Sequence, residues 1–251
     1  MAYISLSRPR MLVALIIAGV LSTTLILTAS THHYWGLHGG ASKPPLIRDE
    51  DLVLDKLAII FPVNNNTDMQ FYRNTWMRDY LYPVCDWPGP GCKIVCHRDS
   101  TYMTLDKKTI CFSRELKAAN DQKEFYLKID DDTLVDMDYV VELVREYSGW
   151  RKPLFISHIW RSRDRGFPDA LNRVRHGNGK FYMFNRQLVN CLNLDITYRG
   201  RRFEDTVFGG MISTGCGERN VVYVEENDKW IWHKEYKSKN KHINLAFIKN
   251  H

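Results

Sequence analysis

Glu124-Phe-Tyr-Leu-Lys-Ile-Asp-Asp-Asp-Thr-Leu-Val135 carries an apolar, strand-like segment straight into three consecutive carboxylates, Asp130, Asp131 and Asp132. Phe125 to Ile129 has the character of a buried strand, and Asp138 to Tyr147 follows with helical spacing. Three adjacent carboxylates repel one another and favour water, so they sit poorly inside a strand. At the end of one they suit a hard divalent cation, because Mg²⁺ and Mn²⁺ prefer carboxylate oxygen and often share their coordination sphere with substrate phosphates. In open α/β sheets, ligands bind beyond the carboxyl ends of the strands, where this cluster would lie. A calcium EF-hand loop is excluded, since the positions that need Gly and Glu, counted from Asp130, hold Val135 and Val141. An acidic turn that caps the following helix stays open on the triplet alone, Asp being common at helix starts.

The remaining composition narrows the classes. A chain of 251 residues, 44% hydrophobic and 12% aromatic, allows one domain with a sizeable core plus appendages. The net charge of +6 is largely local, because residues 229–251 hold six Lys against the single Glu235. The body is near neutral, so no nucleic-acid partner is expected, and residues 234–251 read as a basic, solvated tail.

Residues 11–29 are uncharged and mostly apolar, and no Lys, Arg, Asp or Glu occurs between Arg10 and Lys43. Such a run is long enough to span a bilayer as a transmembrane helix. Arg8 and Arg10 at its start place residues 1–10 in the cytosol and everything after the span on the far side. A cleavable signal peptide competes, with Thr28-Ala29-Ser30 as small cleavage residues, but the run exceeds the usual signal core of roughly 7–15 residues. An uncleaved signal anchor, single-pass and type II, is the expectation. Residues 30–55, with Gly39-Gly40 and Pro44-Pro45, read as a stem. All six Cys lie beyond the span, which in an oxidising lumen suggests disulfides, with fifteen full pairings open. Cys92 and Cys96 are spaced wrongly for a redox motif or a typical zinc knuckle. Asn65-Asn66-Thr67 is a single glycosylation sequon.

Along residues 56–233, strands are expected at Lys56 to Val63, Cys92 to Cys96, Phe125 to Ile129, Pro153 to Trp160, Lys180 to Phe184 and Val221 to Val224. Met69, Tyr72, Trp76 and Tyr80 recur at helical spacing, with Thr67 or Asp68 as N-cap. Further helices are expected at Ile110 to Asn120, Arg186 to Leu192 and Asp205 to Ser213, and Tyr82 to Gly91 reads as loop. Strands alternating with helices predict a largely parallel α/β sheet.

Several signatures stand in order. They are Arg73-Asn-Thr-Trp76, Lys128-Ile-Asp-Asp-Asp132, Gly177-Asn-Gly179 before Phe181 to Val189, Phe203-Glu-Asp-Thr-Val-Phe-Gly209, and Trp230-Ile-Trp-His233. The series resembles the beta-1,3-galactosyltransferase and Fringe-like enzymes, classed as glycosyltransferase family 31. Thr206 replaces that family's Val after Glu-Asp, and Arg173-Val-Arg-His176 stands where a Tyr-Pro-Pro segment usually precedes the glycines.

The resemblance implies a GT-A fold, that is, a Rossmann-like mixed sheet flanked by helices, in a type II protein of the Golgi membrane with its catalytic domain, residues 56–233, in the lumen. It implies a UDP-sugar donor, a glycan or glycoprotein acceptor, and Mn²⁺ or another divalent cation. Asp130, Asp131 and Asp132 would face the cofactor, with Asp132 the main carboxylate on the metal, Asp130 towards the ribose or a metal-bound water, and Asp131 a supporting charge. His233 would be the second metal ligand. Asp205 would be the general base of an inverting displacement, its plainer role being to cap the following helix. Arg73 and Trp76 read as fold-stabilising, and Gly177 and Gly179 as letting backbone approach the substrates. A catalytically inactive lumenal binding protein or chaperone on the same fold is the alternative, though intact carboxylates argue for an enzyme.

Overall fold

The computed structural model describes residues 49–97, 104–119, 123–162, 174–199 and 203–233. The expected cytosolic tail, membrane anchor and basic C-terminal tail lie outside these residues, as does most of the expected stem. Among the described residues, no helix is long and apolar enough to cross a membrane.

The centre is a seven-stranded sheet in the order β10-β6-β9-β4-β1-β2-β3. Its strands are β1 (Leu57–Pro62), β2 (Leu81–Cys85), β3 (Ile94–Val95), β4 (Phe125–Ile129), β6 (Leu154–Ser157), β9 (Phe181–Asn185) and β10 (Val222–Glu225). All neighbours pair in parallel except β9, which runs antiparallel to both β4 and β6. Thus the carboxyl ends of β1 and β4 and the amino end of β9 open at one edge.

Helices cover both faces, which is why β1 reads as an unbroken apolar run and β4 as one interrupted only by Lys128, rather than as alternating strands. On one face Leu57, Ile59 and Phe61 join Phe125, Leu127 and Ile129 beneath Val140, Val141 and Val144 of α4 (Met137–Tyr147). On the other, Ala58, Ile60 and Tyr126 pack with Phe112 and Leu116 of α3 (Leu105–Ala118) and Val207, Phe208 and Met211 of α6 (Glu204–Gly215). At the end of the expected stem, Asp49–Leu54 forms a helix, α1, that packs on α4 and buries Leu54.

The helix expected through Met69 to Tyr80 is broken. Asp68 caps α2 (Met69–Arg73), as expected, and Thr75 then caps a separate 3₁₀ turn, Trp76–Tyr80. Leu81–Cys85 is a buried parallel strand where a loop was expected. Pro83 hides it, yet the strand pairs with β1 on one side and β3 on the other. The segment expected as one strand from Pro153 to Trp160 divides into β6 and β7 (Trp160–Ser162), the latter paired antiparallel with β8 (Val174–His176). A second ribbon joins β5 (Thr133–Val135) to β11 (Ile231–His233).

All six cysteines are paired, as Cys85–Cys92, Cys96–Cys111 and Cys191–Cys216. The last ties the end of α5 (Arg186–Cys191) to the residue closing α6.

Candidate active site

The triplet sits where β4 ends. Asp130 O accepts from Thr133 N at 3.1 Å, closing a turn that sends the chain into β5. Two side chains, one from α2 and one from the 3₁₀ turn after it, hold β5: Tyr72 Oη donates to Thr133 O at 3.0 Å and Trp76 Nε1 to Val135 O at 2.9 Å. Trp76, buried, therefore braces the strand behind the carboxylates. The capping role left open for the triplet belongs to Asp136, whose side chain accepts from Tyr139 N at 3.0 Å at the start of α4.

The three carboxylates point to different partners. Asp131 Oδ2 accepts from Thr67 Oγ1 at 2.8 Å and Asn64 Nδ2 at 3.1 Å, tying the loop after β1 to the triplet. Asp130 Oδ1 meets Lys128 Nζ at 2.6 Å. Asp132 Oδ1 lies 3.1 Å from His233 Nε2, because the β5–β11 pairing sets Thr133 opposite His233. Asp130, Asp132 and His233, all half-buried, offer one ligand atom each within 4.8 Å of one another. Two carboxylates and an imidazole form a donor set that suits Mn²⁺ or a similar divalent ion.

Lys128, inside β4, is fully buried, and its ammonium is shared by Asp130, Gly179 O and Glu204 Oε1, each at 2.6 Å. Burial alone would lower its pKa, but the two carboxylates outweigh it and hold the ammonium charged well above the ordinary range. Glu204 is pushed upward by burial, which Lys128 only partly offsets. Its other oxygen accepts from Tyr182 Oη at 3.0 Å and Thr109 Oγ1 at 3.3 Å. A charged residue within an apolar strand was visible in the sequence; its partners were not.

Asp205 occupies the first turn of α6, but the N-cap position belongs to Phe203. Its Oδ1 accepts from Thr206 N at 2.7 Å, while Oδ2 lies 3.5 Å from His176 Nδ1. Burial would raise the Asp205 pKa, yet the His176 and Thr206 contacts carry it below the ordinary value.

Gly177 and Gly179 leave room for protein groups. A Cβ at Gly177 would collide with Ser157, and one at Gly179 would come within 2.8 Å of Glu204 Oε1.

Asp130, Asp131, Asp132, Asp205 and His233 all line one cleft of about 970 Å³ at the carboxyl edge of the sheet. Lys108 lies on its wall, buried, with Nζ bonded to Val63 O at 2.7 Å and paired with Asp86 at 2.9 Å. Trp87, half-exposed within the loop closed by Cys85–Cys92, is on the rim.

No protein-family model matches the chain, and no curated protein matches it. Solved structures do. The catalytic domain of Drosophila beta1,4galactosyltransferase 7, in complex with xylobiose, aligns over 78% of this chain and 79% of its own at 14% identity and TM-score 0.40. The 4-diphosphocytidyl-2C-methyl-D-erythritol synthase of Anaerococcus prevotii aligns over 79% of this chain and 97% of its own at 11% identity and TM-score 0.39. Alignments this loose assign no chemistry to individual residues here.

Proposed function

We propose that this chain is a metal-dependent, inverting glycosyltransferase, beta-1,3-hexosyltransferase-like, that moves galactose or N-acetylglucosamine from a UDP-sugar to a hydroxyl of a glycan or glycoprotein. The observation that carries the reading is convergence. The cation donor set Asp130, Asp132 and His233 opens into the same cleft as Asp205. The cleft volume, about 970 Å³, is within the range of small-molecule sites. The ordered resemblance of the motifs supports the same donor class. Three disulfides fit an oxidising compartment. With the signal anchor expected at residues 11–29, they support a single-pass type II protein with a lumenal catalytic domain, and the resemblance of the motifs implies the Golgi as its compartment.

A divalent cation held by Asp130, Asp132 and His233 would neutralise charge on the departing nucleoside diphosphate. Asp205 takes the proton from the acceptor hydroxyl as that oxygen attacks the anomeric carbon on the face opposite the diphosphate. A single displacement inverts configuration, so an α-linked donor gives a β-glycoside. Lys128 links the two ends of the site, binding Asp130 on the metal side and Glu204 beside the base.

The test is a hydrolysis and transfer screen of the full chain over UDP-sugars, with Mn²⁺ and with chelator. Turnover of at least one UDP-sugar, lost on chelation and restored by Mn²⁺, is expected. Absence of both turnover and UDP binding in Mn²⁺ would sink the reading. An α-linked product from an α-linked donor, read by NMR, would exclude inversion.

A further inference from the structure

His176 belongs to none of the motifs that make up the site, yet it is buried against the residue assigned as base. It closes β8, which packs across α6. Asp205 and Gly209 lie one turn apart on that helix and so share a face. Gly209 is where β8 crosses, since a Cβ there would overlap Arg175 O and stand 2.7 Å from His176 Cβ. The missing side chain lets the strand sit low enough for the imidazole to reach back one turn to Asp205. The glycine four residues after the Asp thus acts through the strand it admits.

The contacts of His176 Nδ1 fix its tautomer. It lies 3.0 Å from Gly177 O and 3.5 Å from Asp205 Oδ2, both acceptors. Nδ1 must therefore carry a proton, and the second proton of the imidazolium resides on Nε2. Asp205 lines the cleft and His176 is not among its lining residues, so the imidazole bears on the cleft through Asp205.

We infer that His176 is the positioning residue of Asp205, holding its carboxylate ionised and aimed into the cleft and thereby setting the pH at which the site works as a base. The inference rests on the proposed role of Asp205. Among the described residues, the charged groups facing the pair are Glu204 on α6, which disfavours a second negative charge, and Lys128 of β4, which favours it. Burial would lower the His176 pKa, but Asp205 outweighs it and holds the imidazolium above its ordinary range. The same contact holds Asp205 below its own. Without His176, the burial of Asp205 and the neighbouring Glu204 would raise the carboxylate, and the base would be lost from the acid side first.

Two measurements on the full chain test this. The first needs no turnover: histidine ring resonances are titrated by NMR, His176 being the signal absent from His176→Asn. Its midpoint is expected above the ordinary range and should fall in Asp205→Asn, where burial remains and the charge is gone. An unchanged midpoint in Asp205→Asn overturns the coupling itself, whether or not the chain transfers sugar.

The second is kinetic. His176→Ala should lower kcat about tenfold, a part of the general-base effect, with donor KM unchanged and the acid limb of the pH profile moved to higher pH. His176→Asn keeps an N–H near the Nδ1 position without a charge and should recover most of kcat near neutrality. Mn²⁺ binding at Asp130, Asp132 and His233 checks that both variants are folded. Loss of kcat in folded His176→Ala with no recovery in His176→Asn and an unmoved acid limb would make the role structural and overturn the inference. If Asp205→Asn transfers normally while the titration shows coupling, the reading of Asp205 as base fails instead.

Discussion

His233 Nε2 stands 3.1 Å from Asp132 Oδ1, joining the end of the described chain to the turn after β4. The ribbon that creates this contact is only three residues long on each side. It persists because β5 is clamped by Tyr72 and Trp76 at alternate carbonyls while β11 pairs with it. The proposed metal site would therefore depend on tertiary packing as much as on its ligands.

Asp132→Ala and His233→Ala should each weaken Mn²⁺ binding by more than the roughly 10–100-fold typical of losing an outer-shell partner. Asp131→Asn should stay within about tenfold, because its carboxylate is engaged by Thr67 and Asn64. Calorimetric titration of the full chain with Mn²⁺ reads the difference, and equal losses in all three variants would contradict the division of labour.

Asp205→Asn keeps shape but removes the basic oxygen. Transfer should fall roughly 10²–10⁴-fold while UDP and Mn²⁺ affinities hold. Near-normal transfer would move the base elsewhere, and Glu204 would be the next candidate.

Lys128→Met leaves Asp130 and the largely buried Glu204 side chain without their shared cation. Denaturant unfolding should show a loss of about 3–5 kcal/mol, the cost of an uncompensated buried charge. Adding Glu204→Gln should return part of it. A double variant no better than the single one would show that Glu204 is not the stranded partner.

Glu226, buried 3.4 Å from Lys180, has its carboxyl pushed up from 4.5 to about 7, chiefly by burial. Below both values it is protonated in folded and unfolded chains alike and costs nothing. Between them the unfolded chain releases a proton that the folded one keeps, so this group makes stability fall as pH rises from about 4.5 to about 7, then level off. Glu226→Gln should remove the slope and add roughly 1–3 kcal/mol above that window. Urea midpoints on either side of it provide the check, and identical pH profiles for the two proteins would refute it.

Gly209→Ala places a methyl against Arg175 O and His176 Cβ. The expected outcome is a loss of about 1–3 kcal/mol from overpacking, with the His176 ring signal displaced as β8 is lifted from α6. An unshifted signal would mean that the strand does not depend on the glycine for its approach.

What the sequence determined by itself was local. Phe125 to Ile129 is the strand foreseen, and β1, α4, α5, α6, β9 and β10 fall within a few residues of their expected places, because burial on two faces or one leaves its period in the residues. The carboxylates at the end of β4 were legible for the same reason: three charges after an apolar run have few places to be. Tertiary structure decided the rest. Strands β5, β7, β8 and β11 are three residues each and exist only through their partners, so no local pattern announces them. Pro83 concealed β2, since its missing N–H argues against a strand unless the neighbours are known. The three disulfides were one choice among fifteen until the fold brought the sulfurs together. Lys128 was plainly a charge inside a strand, and His176 an unremarkable residue before a glycine pair. Which carboxylates they meet follows from the antiparallel course of β9 and from the space above Gly209, and both are properties of the packed chain.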